Sequence, residues 1–123
     1  MTVAAYTLAV LLDLFCLFLG YRFWFRPGPA AAGYGVPADP NGDAGAYLSV
    51  KGLRDGTFGV VGLLLLAFAG ARAEAWFMVG VALVPLLDAR IVLRHGGPKA
   101  VAFGVHLATA VVVLVGAALL FAV

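Results

Sequence analysis

The chain has 123 residues, of which 64% are hydrophobic and 11% charged, with a mean hydropathy of +1.08 and a formal net charge of +2. So apolar a chain cannot keep most of its surface in water, which excludes an ordinary soluble domain and requires lipid-facing segments. Nucleic-acid binding is also excluded, because the Lys and Arg residues are scattered at segment ends, and the single Cys16 rules out an intramolecular disulfide or a cysteine-based metal site.

At about 20 residues per crossing of a ~30 Å hydrocarbon layer, the chain has room for four helices. The first, residues 3–25, carries Asp13 at its centre and ends at Arg22, Arg26 and Pro27. A cleaved signal peptide has its positive charges before the apolar run. Here they follow it, so this helix is expected to be retained. Residues 27–45 are rich in Gly, Pro, Asn and Asp, which predicts turns and a long loop. Tyr34, Val36 and Tyr47 give that loop some means of packing back as a lid over a site.

The second helix is expected over 46–70 and the third over 74–94, after the polar break Arg72-Ala73-Glu74. Pro85 frees the carbonyl near Val81 and is a candidate kink. The fourth helix, 98–122, opens on Pro98 and has, beyond Lys99 at its start, His106 and Thr109 as its only strongly polar residues. The expected architecture is therefore all-α, one polytopic four-helix transmembrane domain over 1–123. Seven of its eight basic residues flank the first-to-second and third-to-fourth connections, leaving only Arg72 on the other side. That bias places both termini outside the cytoplasm, N-out and C-out. The expected location is the inner (plasma) membrane of a bacterium.

The sequence Lys51-Gly52-Leu53-Arg54-Asp55 is the most informative stretch. On a helix Lys51, Arg54 and Asp55 share one face, and Phe58 continues it a turn further in. At ~1.5 Å per residue from the cytoplasmic helix ends, Lys51 lies ~7 Å deep, Asp88 ~9 Å, Arg54 and His106 ~12 Å, Asp55 ~14 Å and Asp13 ~16 Å. An isolated charge in hydrocarbon costs ~2.5–3.5 kcal/mol even on lenient scales, so these groups are expected to converge. Plainer readings stand beside that one. Lys51 could snorkel to headgroups, Arg54, Asp55 and Asp88 could form a structural ion pair, Asp13 could be a neutral carboxyl bonded to another helix, and His106 could be a satisfied core residue. Gly52, Gly56, Gly59 and Gly62 form a stripe suited to close helix packing.

No nucleophile elbow, phosphate-binding glycine loop or zinc-protease motif occurs in the chain. What remains is cofactor-free and metal-free general acid–base chemistry in a partly dehydrated pocket. The candidate catalytic residues are Asp88, Asp55, Arg54, His106 and Asp13, with Asp88 or Asp13 as base, Arg54 orienting Asp55 and stabilising an oxyanion, and His106 relaying a proton. Lys51, Tyr47, Phe58 and Thr109 are candidates for binding the substrate, a lipophilic small molecule arriving from the inner leaflet of the bilayer. The competing readings are a non-catalytic scaffold or lipid-sensing subunit and a small proton-coupled transporter; the latter needs a homo-oligomer to enclose a path.

The Lys51–Asp55 run with its following Gly-Leu-Leu-Leu-Leu segment, then Val84-Pro85-Leu-Leu-Asp88-Ala, then His106 and Thr109, resembles a family of small four-helix integral membrane proteins known as domain of unknown function 4267. The similarity runs from about Ala46 to the C-terminus, and the first helix matches only in kind. Some fungal proteins of this general type accompany polyketide or terpenoid pathways in which epoxide opening or cyclisation has been assigned. The resemblance thus implies hydrolase, isomerase or cyclase chemistry on a lipophilic epoxide or polyene.

Overall fold

The computed structural model describes all residues, Met1–Val123, and is helical throughout, without strands. There are five helices rather than four: α1 Thr2–Phe25, α2 Pro27–Tyr34, α3 Ala44–Phe68, α4 Ala71–Arg94 and α5 Lys99–Phe121. Three of them, α1, α4 and α5, are long and apolar enough to cross a membrane, which marks a membrane protein. The fourth long helix, α3, matches them in length at 25 residues but carries Lys51, Arg54 and Asp55 together.

The additional helix is α2, in the stretch expected to be a loop. Proline is tolerated in the first turn of a helix, where its missing N–H has no partner to lose. Pro27 occupies that place, Ala30–Ala32 are strong helix formers, and Gly35 ends the helix in the left-handed conformation at φ 103°. Ala30 and Ala31 are buried against the bundle. Residues after Gly35 form the true loop, and Val36 within it packs on a small core of Ala89, Val92 and Ala102.

The four long helices form a closed ring in the order α1, α3, α4, α5, with α1 returning to α5. The α1–α3 pair is antiparallel and unusually close. A Cβ on Gly20 would stand 2.7 Å from the Gly56 Cα, one on Gly59 would stand 2.5 Å from the Asp13 carbonyl oxygen, and one on Gly62 would collide with the Asp13 carboxylate. The glycine stripe read from the sequence therefore lets two backbones touch, the usual device of helices that cannot rely on hydrophobic exclusion from water. On the other side of α1, Ala5 and Ala9 join Ala75, Met78, Ala82, Val113, Ala117 and Leu120 in the main core. That core fills only the half of the bundle holding the N-terminus of α1 and the C-terminus of α5.

In the opposite half two helices lose regularity. Pro85 has no N–H to offer the Val81 carbonyl, and α4 is interrupted at Ala82 between segments Ala71–Val81 and Leu83–Arg94. In α5, Ala102–Leu107 winds as a π-helix, a form frequent at functional sites. Both irregular segments border the same internal space.

Candidate functional site

That space is a cavity of about 260 Å³ enclosed by α1, α2, α3, α4 and α5. Most of its wall is apolar, including Leu12, Phe15, Phe18, Phe58, Val84 and Val113, whereas its polar groups are Lys51, Asp55, Asp88, His106, Tyr34 and Arg22. The scale suits a ligand of about ten non-hydrogen atoms, since benzene fills an engineered cavity of ~150 Å³.

Tyr34, the last residue of α2, connects the polar groups. Its hydroxyl donates to Asp88 Oδ1 at 2.8 Å, and its backbone carbonyl accepts from His106 Nε2 at 2.7 Å. Because a carbonyl can only accept, Nε2 carries the proton in this arrangement. The Tyr34 and His106 rings also pack, with centroids 4.6 Å apart. Burial, and after it the adjacent Asp88 carboxylate, raise the Tyr34 phenol well above its ordinary range, so it remains a donor.

Lys51 turns inward instead of snorkelling. Its Nζ lies 2.9 Å from Asp55 Oδ2, 4.7 Å from the centre of the Phe23 ring and 5.1 Å from that of Tyr34. A cation held between two ring faces and a carboxylate is electrostatically satisfied without water. Arg54 reaches the other Asp55 oxygen through Nε and Nη2 at 3.3 and 3.4 Å, but makes no ion pair with Asp88 or Asp13. Its side chain is 40% exposed and does not line the cavity.

Of the nine residues singled out from the sequence, Asp88, Asp55, His106, Lys51, Phe58 and Thr109 line this cavity. The Thr109 hydroxyl is spent on its own helix, donating to the Val105 carbonyl at 2.6 Å. Tyr47 is a correction: it stands in the first turn of α3, 75% exposed, before that helix enters the bundle. Asp13 is another. It lies outside the cavity, buried where α1 meets Gly62, and its carboxyl meets Glu74 of α4. Asp13 Oδ2 and both Glu74 oxygens have no hydrogen-bond partner outside this pair of acids. Glu74, expected in a polar break, is completely buried. Tyr34 was noted in the sequence only as a packing residue of the loop, and Arg22 only as a terminal charge; both belong to the cavity.

The cavity is closed by α2 on the side of the connections and by the alanine-rich core on the other. Its open side lies between α1 and α5. There Leu8 and Leu12 approach Gly116, but further along the two helices leave Phe15, Phe18 and Val105 both lining the cavity and exposed on the outer surface. The opening faces sideways, in the zone where these helices present apolar side chains.

A sequence profile for the family described as Domain of unknown function (DUF4267) matches residues 14–120. The chain belongs to that family. The DUF4267 match takes in every helix that contributes to the cavity, and it reaches α1, beyond the stretch from Ala46 on which the resemblance in the sequence rested. No curated protein and no solved structure matches the chain.

Proposed function

We propose that this protein is a membrane enzyme that performs cofactor-free acid–base chemistry on a lipophilic small molecule held in the cavity. The observation that carries the reading is the junction of an apolar chamber with the Asp88 carboxylate, which accepts from the Tyr34 hydroxyl, and the His106 imidazole, which donates to the Tyr34 backbone carbonyl. Asp88 Oδ1 accepts a hydrogen bond from the Tyr34 hydroxyl and Oδ2 accepts none from the protein, so the carboxylate keeps a site for a proton from water or from a substrate carbon. Lys51, or His106 once it carries a second proton on Nδ1, gives a proton to the developing oxygen anion and is restored by the proton taken up on Asp88. In an epoxide opening the sum is one water added, and in an isomerisation one proton moves between two substrate atoms.

The accompanying topology is four crossings with both termini outside the cytoplasm. Its support is the antiparallel register of α3 against α1, which makes α3 cover the same thickness as an apolar helix that spans. The buried charges of α3 face Tyr34 and Phe23 rather than lipid. A scaffold reading accounts for paired charges but not for a cavity of about 260 Å³ beside them.

The test is conversion, in a nonionic detergent and without any membrane gradient, of a panel of epoxides and polyenes of about ten carbons, followed by mass spectrometry. Turnover is expected for the wild type and at least about tenfold less for Tyr34→Phe, which removes one hydrogen bond to the base. Saturable binding with no product from any compound would leave a binding module and overturn the enzyme reading.

A further inference from the structure

Resting on that reading of the cavity, we propose that its ligand is an anionic amphiphile, with a carboxylate or phosphate head held by Arg22 and an apolar body lying past Phe18 and Phe15 into the chamber. The charge inventory of the cavity singles out Arg22. Lys51 and Arg54 are both engaged by Asp55, the Tyr34 hydroxyl bonds Asp88, and neither ion pair in the protein includes Arg22. Arg22 is nevertheless half-buried and lines the cavity. A guanidinium partly removed from water without a carboxylate is costly, and its planar fork of donors fits a carboxylate or phosphate in two-point fashion.

Position agrees with chemistry. Phe15, Phe18 and Arg22 follow one another at helical spacing on one face of α1, so the row runs from two aromatic rings at the side opening to a cation one turn before the helix ends. An amphiphile entering sideways from the bilayer meets apolar surface along its body and a cation at its head, in the orientation it already has in a leaflet. The acidic groups of the cavity do not oppose this. Asp55 is countered by two cations, and Asp88 accepts the Tyr34 hydroxyl on the wall formed by α4.

The probes are decanoate and decanol, which share a ten-carbon chain and differ in the head, titrated by calorimetry into the purified protein in a nonionic detergent. Decanoate is expected to bind about tenfold more tightly than decanol, as for one added hydrogen bond to a charged group. Arg22→Ala should abolish that preference, and Arg22→Lys should retain part of it. In nanodiscs, replacing phosphatidylcholine with phosphatidylglycerol separates the sources of the head. Weakening of decanoate binding in the wild type but not in Arg22→Ala identifies a lipid phosphate as an occupant of the same anion site, and no weakening identifies a free amphiphile. Equal binding of acid and alcohol, or a preference that survives Arg22→Ala, overturns the assignment of Arg22 while the cavity reading stands. Binding of neither probe, nor of any neutral compound of the epoxide panel, overturns both.

Discussion

Two groups of buried ionisable side chains lie in this bundle, and they follow opposite rules. Around the cavity the signs are mixed and each group except Arg22 has a partner, Lys51 with Asp55, Tyr34 with Asp88, and His106 with the Tyr34 carbonyl. Between α1 and α4, Asp13 and Glu74 are both acids, and three of their oxygens have no partner outside the pair. The first group borders open space and the second is packed into glycine and alanine surfaces. Depth in the membrane therefore does not by itself mark a site. An ionisable residue far from the headgroups invites a functional reading, but what separates the groups here is adjoining space and complementary chemistry.

The largest expected effect breaks the comparison on the side of chemistry. Asp88→Asn should lower turnover by at least ~100-fold with the folded protein retained, because the amide keeps the shape but cannot take a proton, whereas Asp13→Asn should cost less than about tenfold. Equal losses from the two, in proteins of equal melting temperature, would erase the distinction between the regions. Next is packing under the acid pair. Gly59→Leu forces side-chain atoms into the Asp13 backbone and should cost about 3 kcal/mol, seen as a lowered melting temperature in detergent. An unchanged melt would mean that α1 and α3 separate freely.

A smaller effect has the opposite sign. Glu74→Gln supplies an N–H donor beside the Asp13 carboxyl, so it should raise stability by about 1 kcal/mol. Destabilisation would show that the paired acids perform a task an amide cannot. The smallest is Arg54→Ala. With 40% of the side chain exposed and Lys51 still on Asp55, the loss should stay below ~1 kcal/mol, far from the 3–5 kcal/mol expected for breaking a buried pair. A loss in that higher range would place Arg54 with the cavity group after all.

The sequence disclosed the long helices, the glycine stripe and most of the cavity's polar residues, since length, hydropathy and helical spacing determine them directly. It concealed α2 because Pro27, Gly28 and Pro29 resemble a turn, while their compatibility with a first helical turn shows only once Ala30–Ala32 are packed. Tyr34 was undervalued with it. Glu74 carried a usable signal: Met78 and Ala82 lie four and eight residues further on, so Glu74 shares the face that builds the core. The π-helical turn that carries His106 had no signal in residue type; it packs against α4 and meets α2 through His106 and Tyr34.

The sideways opening at Phe15, Phe18 and Val105 has a further consequence, for how affinities in this protein should be compared. A ligand that arrives through it is drawn from the bilayer, which acts as a second solvent and a reservoir. Each added methylene shifts partition into that reservoir by ~0.8 kcal/mol, about fourfold in local concentration. Two homologues that fit the chamber equally well will then differ in apparent aqueous affinity by that factor per carbon. Selectivity belonging to the protein is what remains after division by the membrane partition coefficient.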